Sequence, residues 1–168
     1  MHTIHPFLPQ DSLEQQVARL QALLEATRQV HSTMQTQEVM LQAARILVRE
    51  LEFDGALFVA PGSDGRLAAY GEVPPPPYKN CTRFPLRSRD QQIMAELIVP
   101  VPDCGEYSLY EQDFLEGLVL QTAVALENAA LHERDVEWAR VQQDLEAARA
   151  VQRSLLPQSM PQIPGFSI

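Results

Sequence analysis

The amino-acid sequence predicts an α+β fold: an antiparallel sheet flanked by helices, with a long C-terminal helix projecting beyond it. Three observations predict it. Apolar residues recur at helical spacing as far as Leu51, and then gather between Phe53 and Val101 into short runs parted by turn residues. From Leu109 to about Leu156 there is no proline and one glycine, Gly117.

The first helix opens at Asp11, with Glu14 three residues on at the spacing of a capping box. Leu13, Val17, Leu20, Leu24, Thr27, His31 and Met34 follow at alternating steps of four and three, a narrow apolar stripe. A second helix starts near Thr36, capped by its hydroxyl, and runs through Val39, Ile46 and Leu47 to Leu51. The polar break from Ser32 to Gln37 is short, so a single kinked helix is the alternative.

Two hairpins follow. Ala56–Ala60 and Arg66–Tyr70 are strands around the turn residues Pro61–Gly65. Pro74–Pro77 are four consecutive prolines, which neither a helix nor a central strand tolerates. Cys81–Arg87 and Gln92–Val101 form the second pair around Ser88-Arg89-Asp90, and Pro85 places its strand at an edge or a bulge.

Ser108 and Glu111 make a second capping box, opening a helix of roughly 48 residues, near 70 Å long. A domain of this size spans only about 30–40 Å. The C-terminal half is therefore expected to project and to need a partner. Its pattern suits one: Leu131, Trp138, Leu145 and Gln152 repeat every seven residues, with Val141, Ala148 and Leu155 offset by three, as a and d positions of a coiled coil. Arg134 is a defect at the first d position, and Trp138 is bulky for a dimer core. The alternative is a surface helix folding back on its own domain.

With 13 Lys and Arg against 22 Asp and Glu, the 168-residue chain carries a net charge of −9. Phosphate recognition needs basic stripes, so the acidic balance excludes nucleic acid and anionic membranes as expected partners. No apolar run approaches the ~18 residues of a bilayer span, and no secretory signal opens the chain. Two cysteines make no disulfide framework. A soluble cytoplasmic protein is expected.

This order of elements is shared by GAF and PAS sensory domains, and local sequence narrows it to GAF. TQEVMLQAARILVRELEFDGALFVA resembles a GAF second helix entering its first strand, FPLRSRDQQIMAELIVP the late hairpin, and YSLYEQDFLEGLVLQTAVALENAALHE the closing helix. The resemblance covers about Met34 to Glu133. Ligand-binding GAF domains usually carry a further strand and short helices where this chain has nine residues between Gly71 and Cys81. That roof is absent, as are the cyclic-nucleotide signature and a Cys-His pair for a bilin. The resemblance therefore points to a compact scaffold for dimerisation or signal relay. A ligand receptor is the alternative, its pocket lined by Phe58, Tyr70, Phe84 and Met94. A cysteine-based redox protein using Cys81 or Cys104 is a weaker one.

The tail LEAARAVQRSLLPQSMPQIPGFSI resembles the opening segment of SpoIIE-type PPM serine/threonine phosphatases, with Gln152, Leu155, Leu156 and Pro157 as its core. The resemblance implies that the chain is the front of a longer bacterial signalling protein. Such a phosphatase domain holds two divalent metals, manganese or magnesium, and acts on a phosphorylated regulatory protein. It would carry its metal-binding aspartates beyond Ile168, so no catalytic or metal-binding residue is expected within this chain. The expected organisation is a mobile N-terminus (1–10), a signalling helix (11–35), a compact GAF domain (36–130), a coiled-coil linker (131–157) and the start of the phosphatase domain (158–168), dimeric through its helices. His2 and His5 are read as lying in the mobile N-terminus rather than as a metal clamp, His31 as an interface or core residue, and His132 as solvated.

Overall fold

A computed structural model describes residues 10–102 and 105–155. Helix α1 (Gln10–Val30) and helix α2 (Thr36–Leu51) precede strands β1 (Gly55–Val59), β2 (Arg66–Gly71), β3 (Cys81–Arg87) and β4 (Ile93–Pro100), and helix α3 (Leu109–Leu155) closes the chain. The strands form one antiparallel sheet in the order β2-β1-β4-β3. The α+β expectation is met, and α1 and α2 are two helices rather than one kinked helix. The chain divides into two compact units, Met1–Leu131 and His132–Ile168.

Local chemistry explains most boundaries. Ser108 and Glu111 form the expected reciprocal cap: the Ser108 amide donates to Glu111 Oε2 at 2.6 Å, and the Glu111 amide to Ser108 Oγ at 3.2 Å. Two starts differ from expectation. Helix α1 begins at Gln10, so Asp11 lies inside it. Helix α2 takes Gln35 as its N-cap, in extended conformation and without a side-chain cap bond, so Thr36 is the first helical residue and not the cap.

Strands β1 and β4 lie in the middle of the sheet, and every residue of β1 is buried. Such a strand needs cover on both faces. On one face Ala56, Phe58, Leu97 and Val99 meet Ala43 and Leu47 of α2 and Leu115 and Leu118 of α3 in the main core. On the other face Leu57, Val59 and Ile98 form a second, smaller cluster with Tyr78. Strand β3 is an edge strand, which is why it accepts Pro85, and a register shift follows at Leu86/Arg87.

Helix α1 runs parallel to the first part of α3. The Arg19 guanidinium lies 4.8 Å from the Tyr110 ring centroid, Leu23 abuts Gly117, and His31 Nε2 is 3.3 Å from Gln121 Oε1. The contacts advance together along both helices. Helix α1 buries Ala26 and Val30; of the predicted stripe, Leu13, Val17, Leu20, Leu24 and Met34 are exposed, and Thr27 and His31 are half-buried.

Within α3 one stretch is long and apolar enough, by length and composition, to cross a membrane, contrary to the expectation that none approaches it. Its apolarity has a local cause: Phe114, Leu115, Leu118, Ala125, Leu126 and Ala129 are buried in the main core.

Candidate functional site

The four residues predicted to line a pocket are placed by strand parity. Ala56 pairs with Tyr70, and Leu97 lies between Phe58 and Phe84, so all three aromatic rings belong to the helix-facing side of the sheet. Phe58 is only 1% exposed and is part of the core. Tyr70 lies at the outer strand with the Arg45 guanidinium 5.4 Å from its ring centroid. Phe84 stacks obliquely on Tyr107 at 6.4 Å, and Met94 packs half-buried against the core. The four are not gathered around one cavity. Phe84 instead helps line a cleft of about 530 Å³ between the β3–β4 hairpin and α3, with Pro85, Val119, Leu120 and Ala123 as apolar neighbours and Arg89 and Glu127 paired at 3.6 Å beside them.

The opposite face of the sheet is closed by the segment that replaces the missing roof. Tyr78, directly after the prolines, is 5% exposed and packs over Leu57, Val59 and Ile98. Its hydroxyl reaches the Asp64 carbonyl oxygen at 3.4 Å. The Arg83 guanidinium lies 5.8 Å from its ring centroid and pairs with Asp64 at 3.0 Å and Glu96 at 3.2 Å. The cation on this face thus already has two carboxylate partners, and the apolar floor is occupied by the chain's own tyrosine. Sequence reading missed Tyr78; its only signal was an aromatic residue placed directly after a rigid turn.

Cys81 lies half-buried on the rim of this cluster. Burial pushes its thiol pKa up, and nearby Arg83 offsets this only in part. A raised pKa leaves less thiolate at neutral pH, the opposite of what a redox cysteine needs. Burial likewise raises the Tyr107 phenol, whose hydroxyl donates to the Pro100 carbonyl at 3.0 Å. Cys104, His2, His5, Leu156 and Pro157 lie outside the described residues, as does the segment 158–168. Among the described residues no group of three His, Cys, Asp or Glu side chains is placed to hold a metal ion.

The predicted seam residues lie on α3. Leu131, Trp138, Val141, Leu145 and Leu155 are between 40% and 78% exposed, and Ala148 and Gln152 are exposed as well. No described residue after Ala129 is buried. His132 is exposed and His31 half-buried.

The likeness to known structures is one of fold. The GAF domain of a protein described as a sensor histidine kinase from Pseudomonas syringae pv. tomato superposes with a TM-score of 0.60 at 16% identity, covering 76% of this chain and 97% of that one. The GAF domains of phosphoenolpyruvate-protein phosphotransferases from Coxiella burnetii and Acinetobacter give TM-scores of 0.55 and 0.54 at 13% and 11% identity. They cover 69% and 68% of this chain, and 96% and 95% of their own. Neither a protein-family model nor a curated protein matches the sequence. The chain has a GAF-type fold.

Proposed function

We propose that the chain is a regulatory GAF module that dimerises through its helices and relays a signal along α3 to a SpoIIE-type PPM phosphatase domain. The observation that carries the reading is the exposed heptad face from Leu131 to Leu155, whose large apolar side chains have no cover among the described residues. An apolar stripe of this kind is stable in water when a partner helix covers it. The phosphatase link rests on the resemblance of residues 145–168 to the opening segment of that family, and no metal chemistry is assigned to this chain's own residues.

Replacing Leu145 with Asp puts a charge into the centre of the seam. Sedimentation equilibrium is expected to show dimer affinity falling about a hundredfold or more, from the cost of burying an unpaired carboxylate. A variant that dimerises as tightly as the parent would remove Leu145 from the interface. A ligand-receptor reading draws on the cleft beside Phe84. Native mass spectrometry of the purified protein tests it, because a retained stoichiometric small molecule would place that reading first.

A further inference from the structure

We propose that residues 131–155 of two copies pair in antiparallel orientation, about a two-fold axis beside Gln143. The inference rests on the seam reading above and adds its direction, which heptad spacing alone leaves open.

The direction follows from what each seam residue would meet. A parallel pair sets every a and d residue beside its own copy. Arg134 would then share a layer with Arg134, two bulky Trp138 rings would share another, and the Ala148 layer would leave a void. Turning one helix around removes all three faults in a single register. Leu131 meets Leu155 of the second copy, and Val141 meets Leu145. Trp138 meets Ala148, the largest seam residue against the smallest. The two polar seam positions also meet each other: the Arg134 guanidinium, donor only, faces the Gln152 side chain, whose amide oxygen accepts.

The flanking charges agree. In the antiparallel register Asp135 faces Arg149 of the second copy, and the two-fold repeats the pair, with Gln142 between them near the axis. On the other flank Asp144 approaches its own copy, a single solvent-facing repulsion against two attractions. The segment carries four arginines and five acidic residues, so little net charge opposes its association. Every residue involved is exposed. Antiparallel pairing brings Leu155 of one copy beside Leu131 of the other, so a signal travelling along α3 acts across protomers.

Two experiments test direction separately from dimerisation. In a Cys81→Ser, Cys104→Ser background, spin labels are placed at Gln143→Cys or at Ser154→Cys, and inter-label distances are read by pulsed dipolar spectroscopy. The antiparallel pair adds an axial offset of about 33 Å between the two Ser154 labels and almost none between the Gln143 labels. A parallel pair adds none at either position; equal short distances would overturn the proposal while leaving the seam intact. No dipolar coupling at Gln143 would overturn the seam reading itself.

The second experiment leaves the native cysteines in place. Arg149→Asp is expected to weaken the dimer about tenfold by sedimentation, since two attractions become repulsions. The double variant Asp135→Arg, Arg149→Asp should recover parental affinity. In a parallel pair Arg149 would instead neighbour Asp144, so the double variant would stay weak, and that result overturns the antiparallel assignment.

Discussion

Gly55 and Gly71 face each other across β1 and β2, and neither has room for a side chain. A Cβ at Gly71 would overlap the Asp54 carbonyl oxygen, and its φ of +77° lies where side-chain-bearing residues are strained. Gly71→Ala is expected to lower unfolding free energy by about 2–4 kcal/mol, combining the left-handed penalty with the backbone shift. Urea melts measure it, and a loss below the simple left-handed penalty would mean that the hairpin relaxes freely. Cys81 gives a residue-scale test of chemistry. Its pKa is raised by burial, so its thiolate fraction at neutral pH falls below that of a free thiol. Iodoacetamide labelling of a Cys104→Ser variant should be slower than that of a model thiol at pH 7, and its rate profile should lie at higher pH. Labelling as fast as the model thiol would reopen the redox reading.

Among the elements, what could be read from the sequence depended on whether the signal was local. The Ser108–Glu111 box reads directly because both cap partners lie three residues apart. Ser108→Ala should cost about 1 kcal/mol in thermal or urea unfolding, whereas removing a solvated serine would cost nothing measurable. Strand β3 reads correctly down to its ends, because Pro85 announced an edge. The cap of α2 does not read, since Gln35 is no preferred cap residue and Thr36 offered a better one in the wrong place. Strand faces were also hidden. Gly55–Val59 is apolar throughout, so its parity could not show that Phe58 faces the helices while Leu57 and Val59 face Tyr78. Phe58, Tyr70 and Phe84 therefore share the side that α2 and α3 fill, which the sequence alone does not show. Helix α1 misled in a related way: its stripe was visible, but Leu13, Val17, Leu20, Leu24 and Met34 face solvent, Thr27 and His31 are half-buried, and the helix buries Ala26 and Val30 instead.

At the scale of the whole chain, the division at Leu131 and His132 makes a claim about where stability resides. The buried side chains of the first unit come from both faces of the sheet, from α1 and α2, and from α3 only as far as Ala129. Nothing described after Ala129 is buried, so residues past Leu131 contribute little hydrophobic burial to a single chain. A chain ending at Leu131 should therefore fold and melt within a few degrees of the monomeric Leu145→Asp variant, since no more than about 1 kcal/mol is at stake. It should also sediment as a monomer if the heptad face carries the dimer. The exposed stripe of Leu13, Val17, Leu20 and Leu24 makes the alternative concrete. A shortened chain that still dimerises would move the interface to α1, and a Leu20→Asp substitution would then be the one that separates the protomers. A shortened chain that fails to fold would mean that the first unit draws stability from the C-terminal helix. In that case α3 would behave as one cooperative element, and a signal relayed along it would be coupled directly to the stability of the sheet beneath it.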